Sequence, residues 1–177
     1  MKRERHPEAD GVLEETGGGQ VVLRYRRWIA HPVERVWAAL TDPAELIGWW
    51  GQADVDLVEG GRFVLRWLNA HEDGEPVVMH ATITRLDPPR LLETTGDMHG
   101  VLRWDLQPDG AGTLLAFSST VDLAEEYRSR VLAGWHWHLD ALAGFLGGTP
   151  ADLANVPGWD QVHQRYAGPR ARTNPFS

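Results

Sequence analysis

The feature that most limits the fold is a series of short runs in which apolar and polar residues alternate, between residues 54 and 120. In "RFVLRW", Phe63, Leu65 and Trp67 share one face, and the residues between them share the other. The same alternation recurs in "VLRWDL" at 101–106, and Gly-Gly and Pro-Pro pairs separate successive runs. This pattern predicts a meander of hairpins, which forms an antiparallel sheet with one buried face.

A long helix is predicted after the meander, over residues 124–147. At 1.5 Å per residue, its roughly 24 residues would span ~36 Å. It is the only predicted element large enough to cover the apolar face of the sheet. At 100° per residue, one apolar stripe of this helix contains the following residues: Val131, Leu132, Trp135, Leu139, Leu142 and Leu146.

Shorter elements precede the meander. Residues 21–30 are rich in β-formers and predict a strand. Pro32 suits the first turn of a short helix, and Asp42 before Pro43 predicts the N-cap of a second one. The fold class is therefore α+β, with an antiparallel sheet of about six to seven strands, two short helices and the long C-terminal helix.

The two ends of the chain differ from its centre. Residues 1–20 lack periodicity and finish in "GGG", which predicts a disordered N-terminal tail. A single domain is expected over 21–148. Residues 149–177 form a C-terminal extension in which one short helix, at about 158–166, is expected to pack on the domain.

Composition excludes several classes of function. The net charge of −8 opposes binding to nucleic acid or to an anionic membrane, because no excess of cations replaces counterions. The absence of cysteine excludes disulfides and Cys-ligated metal sites. The polar N-terminus is not a secretory signal, and no apolar run approaches the ~20 residues that span a bilayer, so a cytoplasmic protein is expected.

The stretch "GWHWH" raises the question of a histidine site. Positions i and i+2 of a helix point about 200° apart, so His136 and His138 cannot readily share one metal ion, and no metal is expected. His136 is expected in solvent beside Asp140. His138 lies at the edge of the apolar stripe, where it either bonds to a neighbouring strand, the favoured interpretation, or contacts a ligand. His80 and His99 are the residues that could meet it across a cavity.

Trp137 falls opposite the apolar stripe, among small residues such as Gly134 and Ala141. An indole over small residues needs a covering surface. Two coverings are open: the tail helix at about 159–166 folds back over it, or a second subunit forms a homodimer through this face.

Five motifs in this order resemble the START-like (SRPBCC, helix-grip) superfamily: "VERVWAALTDPAELIGWWG", "DLVEGGRF", "ITRLDPPRLLETT", "LRWDLQPDGAGTLLAFSS" and "AGWHWHLDALAGFLGG". Together with the tail helix they cover roughly 21–167, and they are most similar to the bacterial family named after the C-terminal domain of the activator of the heat-shock-protein-90 ATPase. The resemblance implies a curved sheet with the long helix across its concave face. Its members bind lipids, steroids or antibiotics, act as cyclases, or assist chaperones.

The resemblance and the nine tryptophans suggest an apolar cavity between the long helix and the sheet, reached past the 42–51 helix and the meander loops. Its candidate lining residues, which alternatively just fill the core, are Trp50, Phe63, Leu65, Trp67, Met79, Ile83, Trp104, Trp135, His138 and Leu139.

The predicted function is non-enzymatic binding of a small hydrophobic or aromatic molecule, with no cofactor. Two alternatives stay open. One is a protein-interaction module similar to the chaperone activator, with a chaperone as partner and a role in the stress response. The other is a cyclase or hydrolase acting on an aromatic, polyketide-like metabolite, in which His138 or His80 would serve as acid or base.

Overall fold

The computed structural model describes residues 10–70 and 74–168, except for the side chains at positions 69 and 70. This part of the chain forms one antiparallel sheet and a set of helices. The strands are β1 (Val12–Gly17), β2 (Gln20–Ile29), β3 (Gln52–Val55), β4 (Arg62–Ala70), β5 (Pro76–Asp87), β6 (Leu91–Gly96), β7 (Gly100–Asp109) and β8 (Gly112–Asp122). The helices are α1 (Val33–Thr41), α2 (Pro43–Leu46), α3 (Arg128–Leu146) and α4 (Trp159–Ala167).

The sheet has the strand order β1-β2-β8-β7-β6-β5-β4-β3, so the first two strands join the meander beside its last strand. Cross-strand pairs bring large apolar side chains together: Phe117 of β8 lies between Tyr25 of β2 and Trp104 of β7. The predicted α+β class, with an antiparallel sheet and a long C-terminal helix, is confirmed.

The predicted number of six to seven strands is wrong, because the sheet has eight. The strand β1 lies inside the range 1–20, for which the sequence predicts a disordered tail, and it pairs with β2. Residues 1–9 of that range lie outside the described residues. Residues Gly17, Gly18 and Gly19 all have positive φ angles, of 101°, 67° and 88°. The "GGG" run is therefore the turn of a hairpin, a conformation that glycine adopts without steric cost.

The two short helices begin where the sequence predicts. Pro32 immediately precedes α1, and the side chain of Asp42 accepts a hydrogen bond from the Ala44 N–H at 2.9 Å as the N-cap of α2. Both helices bury apolar residues in the common core, including Trp37 and Leu46. They connect β2 to β3 at the far edge of the sheet.

Helix α3 packs against one face of the sheet. It begins four residues later than predicted, because Glu125–Tyr127 forms a separate 3₁₀ turn. The Tyr25 hydroxyl donates a hydrogen bond to the Leu132 carbonyl at 2.6 Å, and the Trp135 ring lies 4.4 Å from that of Phe117. These contacts fix the position of α3 along the sheet.

The chain then returns along α3. Residues 147–158 lead back to α4, which packs against the face of α3 that points away from the sheet. Tyr166 of α4 is only 5% exposed, and its hydroxyl accepts a hydrogen bond from the Gly11 N–H at 2.8 Å, just before β1. Helix α3 is thus enclosed between the sheet and the C-terminal segment.

Candidate functional site

Most of the predicted cavity residues fill the core. The rings of Trp49 and Trp50 stack at 5.3 Å, and Trp104 packs 5.7 Å from Trp50, so indoles occupy the space between helix and sheet. An open cavity lies outside this core, and none of residues 42–51 lines it. The expected access past the 42–51 helix is therefore not seen. Seven predicted residues are at most 2% exposed and pack in this core: Trp50, Phe63, Leu65, Met79, Ile83, Trp104 and Leu139.

An open cavity lies to one side of this core, where α3, the sheet and the C-terminal segment meet. This α3 cavity has a volume of about 520 Å³. Three of its fourteen lining residues belong to the predicted set: Trp67, Trp135 and His138. The sheet side contributes Trp67, Val77, Met98 and His99; α3 contributes Arg130, Val131, Gly134, Trp135, Trp137 and His138; the C-terminal segment contributes Leu153, Asn155, Val156 and Trp159.

His138 is held by two neighbours and also lines the α3 cavity. Its Nδ1 lies 3.3 Å from the Trp49 carbonyl oxygen, and the Trp67 Nε1–H donates to its Nε2 at 3.3 Å. The carbonyl requires a proton on Nδ1 and the indole requires a lone pair on Nε2, which together define one neutral tautomer. The pKa of His138 is lowered to about 4, chiefly by burial; the hydrogen bond with the Trp49 carbonyl acts in the opposite direction, and His99 adds a smaller lowering effect.

His99 is the second imidazole of this cavity. Its ring lies 5.7 Å from that of Trp67 and 5.2 Å from that of Trp135. Burial lowers its pKa to about 4, although Asp97 acts in the opposite direction. His80, the other histidine considered from the sequence, is exposed and does not line the cavity.

His136 is buried, so the expectation that it faces solvent is wrong. It is 1% exposed, its Nδ1 lies 2.6 Å from the Tyr166 hydroxyl oxygen, and its Nε2 lies 3.2 Å from an Asp140 carboxylate oxygen. Asp140 also pairs with Arg27 at 3.0 Å. Burial raises the pKa of Asp140, but the His136 and Arg27 contacts outweigh it, so that this pKa is lowered.

The two histidines of "GWHWH" therefore belong to separate networks on opposite sides of α3. His136 holds the C-terminal helix, and His138 holds the cavity wall. Within residues 10–70 and 74–168, no group of three potential metal-ligating side chains comes together.

Trp137 is covered by the chain itself. It is 8% exposed, and its Nε1–H donates to the Pro157 carbonyl at 2.8 Å. The covering segment is the loop before α4, in which Leu153 is also buried, and a Cβ at Gly134 would lie 4.0 Å from the Trp159 ring. The small residues of α3 that the sequence displays around Trp137 thus make room for both the C-terminal segment and the α3 cavity.

Two cavity residues stand out by charge and by backbone conformation. Arg130 is exposed and forms no ion pair with any described residue.

Val156 has a φ of 46°, a left-handed conformation that is sterically unfavourable for a β-branched side chain. Such strain persists only where surrounding contacts impose it, and it concentrates at functional sites. The sequence alone gave no sign of the Val156 conformation.

The fold agrees with the comparison against protein families. Residues 30–147 match the family model described as activator of Hsp90 ATPase homolog 1-like protein, and the chain belongs to this family. A comparison with curated proteins returns no match. Among helices of the described ranges, none is long and apolar enough to cross a bilayer.

Solved structures share this architecture. CalU16 from Micromonospora echinospora has 27% sequence identity and a TM-score of 0.68, over 89% of this chain and 92% of that protein. The protein EF2215 from Enterococcus faecalis, of unknown function, has 20% identity and a TM-score of 0.67 over 89% and 88% of the two chains. DynU16, from the dynemicin biosynthetic locus, has 20% identity and a TM-score of 0.62, over 73% of this chain and 48% of its own.

Proposed function

We propose that this protein binds a small hydrophobic or aromatic molecule in the α3 cavity without transforming it. The observation that carries the proposal is an open volume of about 520 Å³ walled by four indoles. Ligand sites typically have volumes of ~300–1,000 Å³ and are mostly apolar with a few polar groups. The cavity meets this description through the indoles of Trp67, Trp135, Trp137 and Trp159.

The polar groups of the wall support binding rather than acid–base catalysis. Both ring nitrogens of His138 are engaged by Trp49 and Trp67, which leaves no free nitrogen to take a proton from a substrate. A general base is most effective when its pKa lies near the working pH. The pKa values of His138 and His99 are lowered to about 4, chiefly by burial, which makes both imidazoles weak bases at neutral pH.

Fluorescence titration with N-phenyl-1-naphthylamine, a neutral aromatic probe, tests this function. We expect saturable binding to the wild-type protein. Gly134→Leu places an isobutyl group in the cavity wall and should weaken binding at least about tenfold, equivalent to ~1.4 kcal/mol. Gly134→Ala is the matched control, because its added Cβ meets nothing closer than the Trp159 ring at 4.0 Å.

Gly134→Ala should keep the wild-type affinity and, because alanine favours helices, raise the free energy of unfolding by about 0.5–1 kcal/mol. Circular dichroism confirms that both variants fold. The proposal fails if the probe does not bind the wild type, or if a folded Gly134→Leu protein binds it as well as the alanine variant does.

A further inference from the structure

We propose that the ligand is an aromatic acid, and that Arg130 determines this specificity by binding its carboxylate or an equivalent anionic group. The inference rests on the proposed function, since it concerns the chemistry of the molecule that occupies the α3 cavity. It is carried by the charge distribution of the described cavity wall, and by the observation that no described residue forms an ion pair with Arg130.

Among the described residues, the wall of the α3 cavity contains one permanent charge. Arg130 is the only arginine or lysine among its described lining residues, and no aspartate or glutamate lies there. The two imidazoles of the wall, His99 and His138, are uncharged at neutral pH, because burial lowers the pKa of each to about 4. The described lining residues thus carry one positive charge in a protein whose net charge is −8.

Three other arginines near α3, unlike Arg130, form ion pairs with carboxylates. Arg128, on the same helix, pairs with Glu15 at 2.5 Å, Arg27 pairs with Asp140 at 3.0 Å, and Arg165 pairs with Asp10 at 2.6 Å. Each of these three ion pairs joins two segments that are far apart in the sequence. Arg130 has no such carboxylate within the described chain, although it follows Arg128 by only two residues.

The Arg130 guanidinium, which has no ion-pair partner in residues 10–70 and 74–168, lies beside an aromatic surface. Arg130 precedes Gly134 and Trp137 by four and seven residues, so all three share one face of α3, and all three line the cavity. The planar guanidinium matches the two oxygens of a carboxylate, while the indoles offer faces to an aromatic ring. A flat ring with one acidic substituent satisfies both parts of the wall.

No aspartate or glutamate is among the described lining residues, which supports an anionic ligand. Two acidic residues next to the wall in sequence already have hydrogen-bond partners: Asp152 accepts hydrogen bonds from the backbone and side chain of Asn155, and Asp97 accepts one from the His80 N–H. A cationic ligand would therefore meet Arg130 without any carboxylate in the described wall to offset the repulsion.

A matched pair of fluorescent probes tests the inference. 1-Anilinonaphthalene-8-sulfonate and N-phenyl-1-naphthylamine share a ring skeleton and differ by one anionic group. We expect the wild type to bind the sulfonate more tightly than the neutral probe. Its affinity for the sulfonate should fall as salt increases, whereas its affinity for the neutral probe should not. Arg130→Gln should weaken sulfonate binding about tenfold, as expected for loss of one charge-assisted hydrogen bond, and change neutral-probe binding less than about twofold.

Two further variants serve as controls. Arg130→Lys retains the positive charge and should restore part of the sulfonate affinity. Arg90→Gln removes an exposed arginine outside the cavity and should leave both affinities unchanged. Gly134→Leu should abolish sulfonate binding, which locates the probe in the α3 cavity.

The outcomes separate the two proposals. If the neutral probe binds but Arg130→Gln affects both probes equally, or affects neither, the specificity assigned to Arg130 is overturned while the proposed function stands. If neither probe binds the wild type, the proposed function fails as well. Equal loss of sulfonate affinity in Arg130→Gln and Arg90→Gln would reveal a general charge effect and would also overturn the inference.

Discussion

At the scale of single residues, the environment of each histidine decides its chemistry. His99 and His138 lie in the wall of the α3 cavity, whereas His136 lies on the other side of the same helix. The partners of His138 hold one neutral tautomer, and no proton can be added to Nε2 without losing the hydrogen bond from Trp67. The cavity wall is therefore arranged around uncharged imidazoles.

This arrangement predicts a loss of stability in mild acid. Burial lowers the pKa of His99 and His138 to about 4 in the folded chain, against about 6.5 in the unfolded chain. Between these values the unfolded chain binds more protons, so the free energy of unfolding falls as pH decreases through this window. We expect each imidazole to contribute about 1–2 kcal/mol of the loss between pH 7 and pH 5.

Urea unfolding at several pH values measures this effect. His138→Gln and His99→Gln should each have a shallower dependence on pH between 6.5 and 4 than the wild type. His80→Gln removes an exposed imidazole outside the cavity and reports the general effect of losing a histidine. Wild-type slopes in both cavity variants would contradict the assignment of neutral, buried imidazoles.

At the scale of secondary-structure elements, α3 organises the molecule by using two faces. One face packs on the sheet through Trp135, and the other holds the C-terminal segment through Trp137 and His136. That segment supplies four residues of the cavity wall, including the strained Val156. The cavity therefore depends on the attachment of α4.

Tyr166→Phe tests this dependence. The variant removes the hydroxyl that contacts the His136 Nδ1 and accepts from the Gly11 N–H. Leaving the buried His136 Nδ1 and the half-buried Gly11 N–H without this partner should lower the free energy of unfolding by about 1–3 kcal/mol and expose the C-terminal segment to protease. Tyr127→Phe is the control, because Tyr127 is 54% exposed. Equal stability of both variants in urea would show that the hydroxyl does not hold α4.

The sequence predicts elements well where the signal is local. The N-cap at Asp42 and the alternation around Leu65 depend on neighbours within a few residues, and both predictions agree with the structure. His136 shows the limit: a helical projection places it off the apolar stripe, but cannot reveal that Tyr166, thirty residues later, covers it. Likewise, "GGG" is compatible with a tail or a turn, and only pairing with β2 distinguishes them.

At the scale of the whole molecule, the candidate site lies beside the interior that the sequence suggested. The large indoles Trp50 and Trp104, predicted to line a cavity, instead pack against each other and close the space below α3. The open volume forms where residues from β4, α3 and the C-terminal segment converge. Sequence could identify apolar, inward-facing residues, but it could not tell which volumes their neighbours fill, because that depends on contacts between distant segments.

The central claim is that the α3 cavity, and not the indole-filled core, receives an aromatic ligand. The most direct measurement is nuclear magnetic resonance of the tryptophan side-chain N–H groups during titration with N-phenyl-1-naphthylamine, with signals assigned from single Trp→Phe variants. We predict saturable shifts for Trp67, Trp135, Trp137 and Trp159, which line the cavity, and much smaller changes for Trp49 and Trp104, which belong to the indole-filled core. Shifts at Trp49 or Trp104 without shifts at the cavity indoles, or no shifts at all, would contradict the claim.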